Sequence, residues 1–243
     1  MVPAYDVPKI KFATGNPTWS RAVYLYELGK VTQCKKTDGI FSAVVIGSNS
    51  YEVWVSSEKF DVGECNCYVG QKEELCKHMV AVAIHAAAAG QPLSETDKEM
   101  QSEPLCSGRI GPLSKDELLS TQSAIKVVMK FIKAYRGPSR MWFAYQGGLA
   151  EGCNRLSAVF SKLPVCEEAA RMVIQTLLKL DKKLCQGGVD DSDGTVGGFI
   201  ESAVKMLEQF AALEPSCLGQ FKILEDRETC FDWQEPLLKL ARE

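Results

Sequence analysis

What this chain lacks narrows it first. It has no phosphate-binding loop, no dinucleotide fingerprint, no H-E-x-x-H and no nucleophile elbow, so the common catalytic signatures are missing. It has no surplus of positive charge: 28 Lys and Arg stand against 31 Asp and Glu, a net charge of −3. A globally basic nucleic-acid binder is thereby excluded, and any such contact needs a local patch. Long apolar runs are absent too. The longest, Met79 to Ala89, is interrupted by His85 and is too short to span a bilayer, so no membrane partner is expected. Met1 to Lys11 carries prolines and charges but no apolar h-region, and does not read as a signal peptide. Histidine is scarce, with two residues. The remaining composition, 46% hydrophobic and 24% charged, is that of an ordinary soluble protein with room for two modest domains.

Cysteine, by contrast, is plentiful, with ten residues. Without a secretory signal they imply a reducing compartment, with thiols free or on metal. The expected location is the cytoplasm, or the nucleus in a eukaryotic cell. Cys65-Asn-Cys67 is followed, after a polar loop, by Cys76-Lys-His78. Residues i and i+2 of a strand project to one face, so Cys65 and Cys67 suit a single ion. Cys76 and His78 stand at the head of the apolar run that reads as a helix, where free N–H groups and the dipole favour a thiolate. Three thiolates and an imidazole make the closed tetrahedral set of a structural zinc site, with a net charge of about −1. Lys72 and Lys77 offset part of it. The competing reading, four cysteines and histidines buried as unrelated core residues, does not explain the paired spacing. His85 lies about 10.5 Å along the helix from His78, so both cannot bind one ion; it reads as a core-edge histidine.

This C-x-C-x(n)-C-x-H pattern, with Cys-Lys-His at 76–78, short strands before it and a small-residue helix after it, resembles the SWIM-type zinc finger. The resemblance runs from about Trp19 to Ala89 and includes the Val-Ile-Gly-Ser…Tyr-Glu-Val pattern upstream. It implies bound Zn²⁺ and a role in DNA or protein interaction, as in the chromatin-remodelling ATPases, Mutator-type transposases and MEK kinases that carry such domains. Glu73 and Glu74 at the loop rim weaken the case for phosphate contact there.

The spacing predicts strands between Trp19 and Cys65: Ala22 to Tyr26, Val31 to Cys34, Phe41 to Ile46 and Tyr51 to Val55, separated by turns at Gly29-Lys30, Asp38-Gly39 and Gly47 to Ser50. Turn formers from Gly90 to Leu113 mark a linker. Ser114-Lys-Asp-Glu117 has the form of a capping box opening a helix that runs to Arg136. Apolar periodicity predicts further helices over 139–162, 166–185, 195–213 and 216–224, before a tail with Phe231, Trp233 and Pro236. The expected fold is therefore α+β. A small zinc-stabilised antiparallel sheet with its helix (1–90) and a linker (91–113) precede an all-α domain (114–243), a bundle or short α-solenoid.

Lys126, Lys130 and Lys133 share one face of the predicted helix, with Arg136 and Arg140 beyond and Trp142, Phe143 and Tyr145 following. Basic side chains with nearby aromatics suit nucleic acid; a solvated face opposite Ile125, Val128, Ile132 and Tyr135 is the plainer explanation. Asp190 to Asp193 fails the calcium-loop pattern and reads as an acidic turn favouring the next helix. The remaining cysteines lack metal-ligand spacing. The leading function is a non-catalytic zinc-binding module that adapts a protein partner. The alternative is a nucleic-acid-binding accessory factor using the basic helix, and an enzyme with a non-zinc site comes third.

Overall fold

The computed structural model describes residues 2–242, apart from the side chain of Arg140. The chain divides into two compact units, Met1–Met100 and Gln101–Glu243, each with its own core. A small antiparallel sheet lies in the first and helices form the second, so the fold is α+β.

The first unit opens with α1 (Val7–Ala13) and α2 (Asn16–Glu27). A four-stranded meander follows in the order β1 (Val31–Thr37), β2 (Ile40–Ile46), β3 (Ser50–Ser56) and β4 (Gly63–Cys65). Asp38 and Gly39 both have positive φ (48° and 79°), as a two-residue hairpin between Thr37 and Ile40 requires. Val53 and Val55 of β3 are buried; Val53 pairs with Ala43 and Val55 with Phe41, both buried as well. Helix α3 (Lys77–Ala87) packs against the sheet and against α2. Its small residues Ala81 and Ala83 are fully buried, which lets backbones approach closely.

One expected strand is a helix. Ala22 to Tyr26 reads as a strand by local propensity, yet it lies inside α2. Pro17 opens that helix, and the buried Trp19, Ala22, Val23 and Tyr26 keep helical spacing. The short helix α4 (Glu95–Lys98) belongs to the first unit: Trp19 Nε1 donates to Lys98 O at 3.1 Å, Tyr26 Oη to Gln91 O at 2.6 Å, and Lys98 pairs with Glu27 at 2.9 Å.

In the second unit residues 101–113 run along the end of a later helix, where Ser107 Oγ donates to Leu163 O at 2.6 Å and Val165 N to Arg109 O at 2.7 Å. Helix α5 (Lys115–Val128) begins with the expected capping box. It stops well before Arg136. Ile132 is fully buried close to Gly152, where even a Cβ would lie 2.7 Å from its side chain, so the chain has to leave the helical path to bury it. Lys183 Nζ donates to the carbonyls of Met129 and Ile132, satisfying groups that a longer helix would have used. Helices α6 (Trp142–Phe160), α7 (Glu167–Cys185) and α8 (Thr195–Leu213) build the core, with Phe160 and Phe199 at 5.7 Å. The acidic turn precedes α8, and Asp191 accepts from Val196 N and Gly197 N at 2.7 and 2.8 Å. The helix expected over 216–224 is broken: α9 (Leu218–Phe221) lies between two 3-10 turns. The expected tail forms α10 (Glu235–Arg242), which buries Leu237 and Leu238.

Candidate metal centre

Cys65 ends β4 opposite Val53, so it shares the buried, helix-facing side of the sheet. Cys67 lies past the strand end. Between Cys67 and α3 the chain makes a 3-10 turn at Gly70–Lys72 that passes close over Cys65. A Cβ on Gly70 would sit 2.3 Å from Cys65 O, so that crossing admits only glycine. Cys76 occupies the N-cap position of α3, and His78 lies in its first turn.

The two ends of this short loop thus converge. One donor atom from each of Cys65, Cys67, Cys76 and His78 lies within 4.8 Å of every other. His78 turns Nδ1 inward, 3.6 Å from Cys65 Sγ and 3.9 Å from Cys76 Sγ. Tyr51 stacks on its ring at 4.1 Å and fixes the ring plane. All four side chains are buried, between 3 and 8% exposed, as the donors of a closed structural site are. Backbone N–H groups serve the sulfurs: Gly70 N donates to Cys67 Sγ at 3.3 Å and Cys67 N to Cys65 Sγ at 3.5 Å. Such bonds favour thiolate over thiol.

The thiols are electrostatically linked. Contact with Cys65 lowers the Cys76 thiol, with help from His78 and the N–H of Met79, while the same contact raises Cys65. Two sulfurs competing for one proton are arranged for a shared cation. A divalent ion that prefers sulfur and nitrogen in a tetrahedron fits this donor set. The surrounding charge is mixed: Lys72 lies over the Tyr68 ring at 4.3 Å, and Glu73 and Glu74 are exposed.

A closed set of three cysteines and one histidine is the hallmark of a structural zinc finger. Residues 51–87 match the family model of the SWIM zinc finger, a segment that contains all four donors. No curated protein and no solved structure matches the chain. Donor chemistry, burial and family match together make this a zinc-binding module. His85 stands apart from it, edge-on to Tyr26 at 6.0 Å, with burial lowering its pKa.

The basic residues are distributed differently from the expectation. Lys126 is on α5, but Lys130, Lys133 and Arg136 lie beyond its end, so the single helical face does not exist; these cations are exposed. The side chain of Arg140 lies outside the described residues. Trp142 and Tyr145 are engaged elsewhere: Trp142 Nε1 donates to Asp190 Oδ2 at 3.0 Å, and Tyr145 Oη to Lys133 O at 2.9 Å. Phe143 is 80% exposed. No described helix is long and apolar enough to cross a membrane.

Two features lay beyond sequence reasoning. Cys185 and Cys230 are joined in a disulfide with Cα atoms 5.9 Å apart, which corrects the expectation of free thiols at these positions. Beside the bridge lies buried Asp181, whose Oδ1 accepts from Cys230 N and Trp233 Nε1, both at 2.9 Å. A separation of 45 residues carries no local signal for this pairing. The second feature is a cleft of about 880 Å³ flanked by α5 and α7. Its only trace in sequence is Lys179-x-x-Lys182-Lys183, which lacks acidic partners at helical spacing.

Proposed function

We propose that this protein is a non-catalytic adaptor. Zinc, held by the Sγ atoms of Cys65, Cys67 and Cys76 and by Nδ1 of His78, keeps the first unit in shape, and the helical unit binds a partner protein. The observation that carries this reading is the burial of all four donors in a set with no position left open. A hydrolytic zinc needs an accessible water site. Here the chain's own residues do positional work: Cys65 ties the sheet edge, Cys76 and His78 tie the start of α3, and Tyr51 sets the imidazole plane.

Metal analysis of the purified protein is expected to find one zinc per chain, and Cys76→Ser or His78→Ala to reduce it sharply. Full zinc occupancy in Cys76→Ser would refute the ligand set. For the adaptor role, partners are recovered by affinity capture with and without nuclease. A stable protein partner that survives nuclease supports the reading. Binding that disappears with nuclease and falls steeply with added salt would move the function to nucleic acid.

A further inference from the structure

Cations and apolar groups meet in the cleft of the second unit. Ile125 and Met172 are buried in its floor, with Met129 half-buried beside them. Lys126, Lys179 and Lys182 are exposed along its rim, and no carboxylate lines it. None of these three lysines makes an ion pair among the described residues. Lys183 also reaches the cleft, but its ammonium is spent on the carbonyls of Met129 and Ile132.

The lysines have an ordinary alternative explanation in the helix dipoles, since Lys126 and Lys182 stand in the last turns of α5 and α7. Each helix end carries only about half a negative charge, and Lys183 already offsets part of it. Three further cations over-compensate, so the cleft stays positive. Its lining extends along α7 from Met172 to Lys183, about 17 Å at 1.5 Å per residue, the length of a helix of about 11 residues. Unbranched methionines adapt to the shape of an incoming side chain, a property of surfaces that accept amphipathic helices.

We infer that this cleft is the docking site for an acidic amphipathic helix of a partner protein, with apolar side chains on Ile125, Met129 and Met172 and carboxylates on Lys126, Lys179 and Lys182. The assignment rests on the adaptor reading and gives that partner its chemistry. Charge complementarity selects an acidic ligand, and the apolar floor selects a protein, because phosphates gain nothing from methionine and isoleucine. Lys130 and Lys133, which would extend a phosphate track, are not among the residues lining the cleft.

The test uses the full-length protein loaded with zinc and a fluorescent synthetic helix carrying leucines at i, i+3, i+4 and i+7 with flanking glutamates. A twin peptide carries lysines in place of the glutamates. The acidic peptide is expected to bind and the basic twin not to. The triple variant Lys126→Glu, Lys179→Glu, Lys182→Glu should weaken binding at least about tenfold with an unchanged circular dichroism spectrum. Met129→Gln, which leaves the charges in place, should weaken it several-fold. Equal binding of the two peptides, or an unchanged Kd in the triple variant, overturns the inference. So does DNA that displaces the peptide and is itself lost in the triple variant, or a dimer that the triple variant dissociates, which would give the cleft to a second copy. If a natural partner is captured equally by wild type and triple variant, the cleft assignment falls while the adaptor reading stands. If wild type captures no protein partner, the adaptor reading is what fails.

Discussion

The two units hold themselves together by different means. In the first, helices and a four-stranded sheet share a core in which α3 contributes mostly alanine and valine, and the sheet's short last strand is tied to α3 by the cysteine and histidine side chains. In the second, Phe160, Phe210, Phe221 and a set of leucines and isoleucines are fully buried among long helices. Large side chains bring about 1.5–3 kcal/mol each on burial, so the helical unit has the means to fold on apolar area alone. At the β-rich end of the first unit, zinc held by the four donors would supply a comparable contribution. Chemistry that removes metal and chemistry that removes core volume should therefore strike different halves.

The largest effect tests that contrast directly. Chelation, or Cys76→Ser, should unfold the sheet and free α3, because structural zinc in small fingers contributes roughly 10–16 kcal/mol. Hydrogen exchange is expected to show protection lost over β1–β4 and α3 and kept in α6, α7 and α8. Loss of protection in those helices as well would mean one cooperative unit, and the comparison would break. The converse is Phe160→Ala, expected to cost about 3–5 kcal/mol and to lower the melting temperature of the helical unit while zinc content stays constant.

A smaller effect, about 2 kcal/mol, is expected from Asp181→Ala, which leaves the Trp233 indole and the Cys230 amide without their acceptor. Denaturant titration would read it as a loss confined to the second unit. Ser114→Ala removes the cap of α5 and should cost about 1 kcal/mol. Its partner Glu117 has a carboxyl held below its ordinary 4.5, first by the Ser114 N–H, then by the Ser114 side chain and Arg109. The stability this gives is present above the unfolded value and is lost as pH falls through the lower folded value. Glu117→Gln should accordingly lower the helical unit's stability at neutral pH and flatten its acid limb, with little change at pH below the folded value.

The metal centre was legible because its donors come from one short stretch, and the pairing rules of strand and helix start act locally. Sheet pairing from Val31 to Val55 and the capping box at Ser114 were legible for the same reason. The misread parts all depend on partners distant in sequence. Ala22 to Tyr26 has strand-forming residues, but their burial against α3 follows helical spacing. The predicted helix beyond Val128 satisfies apolar periodicity up to Tyr135, yet Gly152 and Lys183, from two other helices, decide where the chain turns. That early end removed the shared basic face of Lys126, Lys130 and Lys133 and left Lys126 beside α7. The bond between Cys185 and Cys230 joins the end of α7 to a segment 45 residues on, a pairing without a local signal.

The interior tryptophans have a consequence for observation. Trp19 is completely enclosed in the first unit, and Trp233 is 4% exposed in the second, so each half contains its own shielded chromophore. Trp233 shares an acceptor oxygen with the amide of Cys230, which places its indole near a disulfide. A disulfide draws an electron from an excited indole and darkens it. Under ultraviolet excitation Trp19 would follow metal loss, whereas Trp233 would brighten on reduction of the sulfur bridge while its helices stay folded, giving one molecule two optical readouts.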